Sequence, residues 1–342
     1  MRTIVFLGLI SCAALAPACS GDEDSSQTTG ALMSGTPSIL VDLDPNSTGT
    51  SVTIESITAD ANGVLYTSDR ETGNVLRVDP RNAVPSVVGK LADRTDPMSG
   101  MVQKANGAGL VVNARGDLLI ASGTFGEVLR LPAAELGANP TATATTFITG
   151  VQGANSVLLE GDELFVSGGA TGNVYRAPAG GGAAETWARI EPSSRSVAPD
   201  GYMQAVVANG LARDPRGALL VADTARAALW SIPVNTDGSA GTPQLVVQSP
   251  LLNGIDGLAY DPRGRLWAAV NERNALVVLK DGAVQEAFKN GNAGPLEFPA
   301  ALVFIGSSGY VANFDRARAD NFADDGVSSA AGIGSSIAQL HL

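Results

Sequence analysis

The chain has 342 residues, of which 44% are hydrophobic and 16% are charged, and its formal net charge is -12. This length is enough for one large domain, or two ordinary ones, with a sizeable buried core. The acidic balance disfavours nucleic acid as a partner, because its phosphates would be repelled. The 40 Gly and 18 Pro residues favour a compact all-β protein with many tight turns over a helical bundle.

The first 19 residues have the order of a bacterial secretory signal. Arg2 provides the positive start, and residues 4–16 form an apolar run that is too short to span a bilayer comfortably. "LAPACS" resembles a lipoprotein cleavage motif with Cys19 as the lipidated residue, whereas "LISC" offers Cys12 instead. A plain cleaved signal, with Cys19 incidental, is a third interpretation.

These features predict three parts: a lipoprotein-type signal peptide over residues 1–19, a flexible polar linker over 20–35 and one domain over 36–342. We expect an exported monomer in the periplasm or cell envelope, held at the membrane by its lipid anchor alone. The chain has two cysteines, and both lie in the leader, so the exported domain contains no disulfide.

One phrase recurs along the predicted domain, as "GLARDPRGALLVAD" (210–223) and "GLAYDPRGRLWAAV" (257–270). Its second apolar strand has six copies, at residues 63–69, 117–123, 163–169, 218–224, 265–271 and 309–315. A period near 50 residues with four short strands in each unit is typical of a β-propeller blade. We therefore predict a six-bladed β-propeller with four-stranded antiparallel blades. A β-sandwich, or two separate β domains, is the alternative, although neither requires one sustained period.

Residues 37–44 form a spare strand without a partner in blade one. We expect it to pair with residues 335–342 as the outermost strand of blade six. The ring of blades would then be closed without a covalent link, in agreement with the lack of cysteines.

The residue that opens each first strand should point towards one mouth of the central channel. Counting back from the turn glycines gives one residue for each blade, namely Glu55, Ala108, Asn155, Asn209, Asp256 and, in blade six, Ala300 or Ala301.

Four of these residues carry oxygen donors: Glu55, Asn155, Asn209 and Asp256. Oxygen-only donors of mixed charge suit Ca²⁺, with Mg²⁺ or Mn²⁺ as alternatives, and no imidazole or thiolate is present to favour zinc or copper. A different interpretation makes Asn209 and Asp256 turn residues only, since each precedes a glycine.

With these residues and the phrases "ANGLARDPRG" and "IDGLAYDPRGRLW", the sequence resembles the regucalcin and gluconolactonase (senescence marker protein) family from about Ile54 to Leu342. The resemblance implies a six-bladed propeller that holds a divalent cation at the four places and hydrolyses lactones, and paraoxonases have a similar arrangement. Two departures argue against a sugar lactone as the substrate. Members that act on sugar lactones usually have Arg where Gly153 stands, and Gly-Pro where Ser56 and Ile57 stand.

His341 is the single histidine, so a Ser-His-Asp triad and His-dependent lyase chemistry are excluded. The remaining enzymatic reading is metal-assisted hydrolysis of a lactone or ester, with Asp256 or Glu55 taking the proton from a water. Two insertions, residues 91–107 and 191–207, should form the rim of the channel. The candidate substrate contacts on this rim are Arg94, Met101, Tyr202 and Met203.

Two other functions stay open. A noncatalytic propeller would bind a peptide, glycan or protein on its rim and would use the metal only structurally. A quinone-cofactor sugar dehydrogenase is disfavoured by the lack of channel histidines and the scarcity of basic residues near the mouth.

Overall fold

The computed structural model describes residues 35–43, 52–137, 140–196, 203–314 and 333–342. Within these ranges there are 29 β-strands, three short 3₁₀ helices and no α-helix. Six sheets, each with four antiparallel strands and one of them with a short fifth strand in parallel, follow one another in a propeller arrangement, which confirms the predicted fold class and excludes the sandwich. No helix in the described ranges is long and apolar enough to cross a membrane.

The first half of the propeller contains a preliminary strand, three blades and one hairpin. The preliminary strand is β1 (Ser38–Asp42). Blade one contains β2 (Thr58–Ala59), β3 (Leu65–Ser68), β4 (Asn74–Val78) and β5 (Pro85–Lys90). A hairpin follows, with β6 (Arg94–Thr95) and β7 (Val102–Gln103). Blade two contains β8 (Gly107–Val112), β9 (Leu118–Ser122), β10 (Glu127–Leu131), η1 (Ala133–Glu135) and β11 (Thr145–Thr149). Blade three contains β12 (Val157–Glu160), β13 (Glu163–Ser167), β14 (Asn173–Pro178) and β16 (Glu185–Arg189). The two-residue strand β15 (Gly182–Ala183) lies between β14 and β16 in the chain but pairs in parallel with β11 of blade two.

The second half begins with another hairpin and contains three further blades. The hairpin consists of β17 (Arg195–Ser196) and β18 (Met203–Gln204). Blade four contains β19 (Leu211–Arg213), β20 (Leu219–Asp223), β21 (Ala228–Ile232) and β22 (Gln244–Gln248), and η2 (Pro250–Leu252) follows it. Blade five contains β23 (Ile255–Tyr260), β24 (Leu266–Val270), η3 (Asn271–Arg273), β25 (Ala275–Lys280) and β26 (Ala283–Lys289). Blade six contains β27 (Pro299–Ile305), β28 (Ser308–Asn313) and β29 (Ser336–His341).

Asp-Pro-Arg-Gly makes the tight turn between the first two strands of blades four and five. In blade four, Oδ1 of Asp214 accepts a hydrogen bond from the backbone N–H of Arg216, and Gly217 has a φ of +92°. In blade five, Oδ1 of Asp261 accepts from two backbone N–H groups, and Gly264 has a φ of +74°. The aspartate therefore caps the turn and the glycine provides the left-handed residue that closes it.

The hydrophobic core is divided into clusters that lie between neighbouring blades. The cluster that joins the end of the chain to its start brings Ile54 and Leu65 of blade one against Tyr310 and Ile337 of blade six. Comparable clusters join the other neighbouring pairs. Each blade thus buries both faces against its neighbours, and this packing contributes to the closure of the ring.

The predicted latch is confirmed, because β1 pairs antiparallel with β29 and forms the outer edge of blade six. Val41 of β1 lies opposite Ile337 and is buried in the closing cluster. Beyond the strand, the backbone N–H of Leu43 donates to the carbonyl oxygen of Ser335 with an N···O distance of 3.0 Å. The N-terminal strand therefore covers an edge and an apolar face that blade six would otherwise expose.

We expect Val41→Asp to lower the free energy of unfolding by about 3 kcal/mol, since it places an unpaired charge in the closing cluster. Ser38→Asp is the matched control, because Ser38 lies on the same strand but is exposed. Urea unfolding followed by tryptophan fluorescence measures both variants. Equal midpoints for the two variants would show that β1 does not close the ring.

Candidate functional site

The structure brings Glu55, Asn155, Asn209 and Asp256 together, although they come from four different blades. All four line one cavity of about 30 Å³ in the channel. They also line a second cavity of about 220 Å³, so they lie between the two spaces. The smaller space exceeds the roughly 10 to 15 Å³ that a cavity needs to hold one water molecule, and it therefore has room for a single ion.

Glycines beside the ring positions determine how closely the inner strands approach one another. A Cβ on Gly109 would lie 2.5 Å from the carbonyl oxygen of Asn155, and one on Gly257 would lie 2.7 Å from that of Ala300. A Cβ on Gly210 would overlap the carbonyl oxygen of Asp256. Each of these glycines follows a ring residue, and each allows the backbone of the next blade to come into contact.

This geometry contradicts the interpretation of Asn209 and Asp256 as turn residues. Gly210 and Gly257 are not among the glycines with positive φ, and Asp256 lies inside β23. The strand register also assigns the blade-six position to Ala300, because Pro299 pairs with Asn313 as Ile255 pairs with Val270. The dipeptides Asn209-Gly210 and Asp256-Gly257 therefore occur where two blades come into close contact, and not at a turn of the chain.

A hydroxyl relay orients the amide of Asn209. Its Nδ2–H donates to Oγ1 of Thr224 at 2.9 Å, and the Thr224 hydroxyl donates to the carbonyl oxygen of Ile255 at 2.6 Å. Because the Thr224 hydroxyl donates its proton to the Ile255 carbonyl oxygen, Oγ1 of Thr224 acts as the acceptor towards Asn209. The Asn209 atom that faces Thr224 is therefore the amide nitrogen, and Oδ1 points the other way. The buried Oδ1 of Asn209 has no hydrogen-bond partner among the described residues.

Glu55 is engaged on both of its carboxylate oxygens. Nδ2–H of Asn155 donates to Oε1 with an N···O distance of 3.3 Å. The guanidinium of Arg70 forms an ion pair with Oε2 and lies 5.6 Å from the centre of the Phe314 ring. A positive charge therefore already stands beside one of the two channel carboxylates.

Asp256 is held by the end of the neighbouring strand in its own blade. Nδ2–H of Asn271 donates to Oδ2 of Asp256 at 3.1 Å, and both residues are buried. The Oδ1 atom of Asn271 is buried and has no hydrogen-bond partner in the part of the chain that the structure describes. The channel thus contains two amide oxygens, from Asn209 and Asn271, that still have acceptor capacity.

The donor set fits a hard divalent cation. Glu55 and Asp256 provide two negative charges, and the partnerless Oδ1 of Asn209 is the kind of buried acceptor that a cation would satisfy. Within the described ranges no group of three His, Cys, Asp or Glu side chains is arranged for a metal, so the amides are needed to complete the set. Arg70 competes electrostatically with such a cation for Glu55.

The residues that follow the second strand of each blade were not among the predicted site residues. In antiparallel sheets the end of the second strand lies beside the start of the first, so these residues reach the same mouth. Four of them line the larger cavity, namely Arg70, Thr224, Asn271 and Phe314. The repeat could have identified them, because they are the last residues of "TSDR", "VADT", "AAVN" and "VANF", which occupy equivalent places in their blades.

The two rim insertions form the hairpins β6–β7 and β17–β18, but the predicted contacts differ in their surroundings. Met101 is 68% exposed and Met203 is 50% exposed, and neither lines the channel cavity. Tyr202 lies outside the described residues. From the second hairpin it is Gln204 that lines the cavity, and its Nε2–H donates to Oε1 of the fully buried Glu272 at 3.0 Å.

Arg94 forms an ion pair with Glu127 that connects two parts of the fold. Its guanidinium donates to both carboxylate oxygens of Glu127, at 3.1 and 2.7 Å, and lies 4.1 Å from the centre of the Phe125 ring. Hydrogen bonding from Arg94 lowers the pKa of Glu127. The pair fastens the first rim hairpin to blade two, and substrate contact by Arg94 stays a prediction.

The family model described as the SMP-30/gluconolactonase/LRE-like region matches residues 53–308, which is most of the chain. The chain belongs to this family. A search among curated proteins gives no match.

Several solved structures share the fold at low sequence identity. A gluconolactonase from Xanthomonas campestris is 16% identical with a TM-score of 0.61, and the match covers 90% of this chain and 89% of that one. A calcium-binding protein, regucalcin, from Agrobacterium tumefaciens is 16% identical with a TM-score of 0.59, over 88% and 92% of the two chains. A virginiamycin B lyase from Staphylococcus aureus is 11% identical with a TM-score of 0.52, over 90% and 99%. At these identities the likeness concerns the fold alone.

We expect Gly210→Ala to destabilise the protein by about 1 to 3 kcal/mol, because the added methyl group forces the inner strands of blades four and five apart. Gly180→Ala is the control, since a Cβ there meets no atom within 4 Å. Urea unfolding measures both. If the two variants unfold at the same urea concentration, close contact at Gly210 does not stabilise the ring.

Proposed function

We propose that this propeller hydrolyses a lactone or ester with the help of a divalent cation bound by Glu55, Asn155, Asn209 and Asp256. The observation that carries the proposal is the convergence of four oxygen donors from four blades on one ion-sized cavity. Membership of a family named after a gluconolactonase supports a small lactone as the class of substrate.

Ca²⁺ is the cation that we assign first, with Mg²⁺ or Mn²⁺ as alternatives. The carboxylates of Glu55 and Asp256 would provide charged ligands, and the amides of Asn155 and Asn209 would provide neutral carbonyl oxygens. The relative from Agrobacterium tumefaciens is described as a calcium-binding protein, which supports this choice.

When bound, a divalent cation polarises an acyl carbonyl and lowers the pKa of a water molecule. The positive charge of Arg70 beside Glu55 disfavours proton uptake by that carboxylate, and we therefore assign the acceptance of the water proton to Asp256. Asn271 orients the Asp256 carboxylate for this role through its hydrogen bond to Oδ2.

The reaction balances with water as the one co-reactant. The water oxygen forms a bond to the acyl carbon, and the bond between that carbon and the ester oxygen breaks. The proton taken by Asp256 passes to the leaving oxygen, which becomes a hydroxyl group, and the new carboxylic acid releases its remaining proton to solvent.

Export and lipid anchoring are a separate part of the proposal. They rest on the signal-like residues 1–19, which include Cys12 and Cys19 and lie outside the described residues. Labelling with radioactive palmitate in a bacterial host tests the anchor. If the wild type is labelled and Cys19→Ser is not, Cys19 is the lipidated residue. If Cys12→Ser loses the label instead, Cys12 is the lipidated residue. An unlabelled wild type contradicts lipidation.

We expect Asp256→Asn to weaken Ca²⁺ binding by at least about 100-fold, because the site loses one of its two carboxylates while its shape is retained. Calorimetric titration measures the affinity, and a panel of lactones and aryl esters measures the turnover. Asp214→Asn is the matched control, since Asp214 is equally buried but lies in a turn away from the channel.

Three results separate the functions. Loss of Ca²⁺ binding together with turnover supports the hydrolase. Metal binding by the wild type without turnover on the whole panel contradicts it and supports a noncatalytic binding propeller. Unchanged Ca²⁺ affinity in Asp256→Asn removes the channel as the metal site.

Arg70 gives a second test of the same site. We expect Arg70→Gln to tighten Ca²⁺ binding by at least about tenfold, since the guanidinium no longer competes for Glu55. Arg70→Lys, which retains the positive charge, should bind Ca²⁺ much more weakly than Arg70→Gln in the same calorimetric titration. Equal affinities in the wild type and in Arg70→Gln would show that the cation does not share Glu55 with Arg70.

A further inference from the structure

Glu55 lines three cavities of the channel, and Arg70 lines the two larger ones. Besides the cavity of about 30 Å³, these are the cavity of about 220 Å³ and one of about 370 Å³ on the side of blades one to three. Among the described residues that line the three cavities, the charged side chains are those of Glu55, Asp256 and Arg70. The chain therefore places two negative charges and one positive charge at the channel mouth.

A bound divalent cation reverses the sign of the charge at this mouth. Without the cation, Glu55, Asp256 and Arg70 leave one net negative charge. With it, the same groups leave one net positive charge, in a protein whose formal net charge is -12. Solvent compensates a charge only partly inside a cavity, so the loaded channel favours a ligand that carries negative charge.

Backbone contacts at the end of β3 fix the position of Arg70. Its backbone N–H donates to the carbonyl oxygen of Thr53 at 2.9 Å, and the backbone N–H of Thr53 donates to Oδ1 of Asp69 at 2.9 Å. The guanidinium pairs with Glu55 and lies 5.6 Å from the centre of the Phe314 ring. The backbone of Arg70 is thus anchored, while its long side chain reaches both of the larger cavities.

The pairing with Glu55 can be exchanged for another anion. The negative charge of Glu55 attracts the guanidinium, and a divalent cation held by the same carboxylate would offset that charge. The guanidinium keeps its own positive charge throughout, and its planar set of N–H donors matches the geometry of a carboxylate. Arg70 is therefore suited to bind an anion that reaches the loaded channel.

We propose that Arg70 is a catalytic residue, which donates hydrogen bonds to the acyl oxygen as this atom becomes negative and then to the carboxylate of the product. The inference rests on the proposed function and adds an anion-binding residue to it. A neutral lactone or ester gains negative charge on its acyl oxygen when the water oxygen adds to the acyl carbon, and the released acid keeps a negative charge. Arg70 is the one cationic side chain among the described residues that line the cavities, so it is the group of this chain that offsets both charges.

The cavity of about 370 Å³ gives such an anion room beside Arg70. Its volume lies within the range of roughly 300 to 1,000 Å³ that is typical of small-molecule pockets. Apart from Arg70 and Glu55, the described residues that line it are neutral, and most of them are alanines and glycines. A short hydroxy acid can therefore lie next to the guanidinium, with Glu55 as the one carboxylate in this part of the lining.

Binding of a reaction product tests the anion site without turnover. The probe is 4-hydroxybutanoate, the acid that hydrolysis of γ-butyrolactone releases, and the comparison is its neutral amide, 4-hydroxybutanamide. Calorimetry on the calcium-saturated wild type should show the acid binding at least about tenfold more tightly than the amide, because only the acid is charged. Equal affinities for the two compounds, or no binding of the acid, would overturn the anion site.

Two variants assign this effect to Arg70. Arg70→Gln, saturated with calcium, should bind the acid at least about tenfold more weakly than the wild type, whereas Arg70→Lys retains the positive charge and should lose less. Arg216→Gln is the matched control, since Arg216 is exposed and pairs with Asp214 in a turn away from the channel. If Arg70→Gln and Arg216→Gln bind the acid equally well, calcium alone attracts it and the assignment to Arg70 is wrong.

Turnover distinguishes a catalytic role from a structural one. On a lactone that the wild type hydrolyses, Arg70→Gln should lower kcat by about 100-fold and change KM little, because a neutral substrate acquires its charge only in the transition state. The same variant is expected to bind calcium more tightly, so calcium affinity and turnover should change in opposite directions. A general loss of structure would lower both.

The failure of this inference is distinguishable from the failure of the proposed reaction. Hydrolysis by the wild type with an unchanged kcat in Arg70→Gln would contradict the catalytic role of Arg70 and leave the reaction standing. Binding of 4-hydroxybutanoate that depends on Arg70, without hydrolysis of any lactone or ester by the wild type, would contradict the reaction together with the catalytic role and leave the anion site standing.

Discussion

Close contact between the inner strands is the constraint on which the site depends. Gly109, Gly210 and Gly257 allow the backbone of one blade to touch the ring residue of the next. Because the blades repeat around one axis, this contact brings side chains that are far apart in the chain to a single cavity. The outer parts of the propeller keep the ring closed, through clusters between neighbouring blades and through the pairing of β1 with β29. The geometry of the candidate site is therefore a consequence of how tightly the centre is packed.

Polar contacts around the ring of inner-strand residues fix the orientation of the side chains that the packing brings together. The Thr224 hydroxyl fixes the amide of Asn209, and Asn271 holds the carboxylate of Asp256. Such outer contacts determine which atom of a side chain is presented to a ligand. Arg70 adds a positive charge beside Glu55, which a bound cation would meet.

The sequence was sufficient to predict the fold and the four ring residues, because both follow from one period and from a count back from the turn glycines. The latch between residues 37–44 and 335–342 was also predictable from an unpaired strand. Arg70 and Phe314 were missed because their importance arises from antiparallel pairing, which places the end of one strand beside the start of another. The left-handed backbone of Phe298, which also lines the cavity of about 220 Å³, depends on Asn274, a contact that has no local signature. Arg94 was singled out from its position in an insertion, whereas its surroundings are those of a structural ion pair with Glu127.

The central claim is that four oxygen-bearing side chains share one cation in the channel. A crystal structure of the protein soaked in CaCl₂ tests it most directly. The account predicts one ion within about 2.3 to 2.6 Å of oxygens from Glu55, Asn155, Asn209 and Asp256. A channel without an ion at saturating calcium, or an ion bound only by residues elsewhere on the propeller, would contradict it.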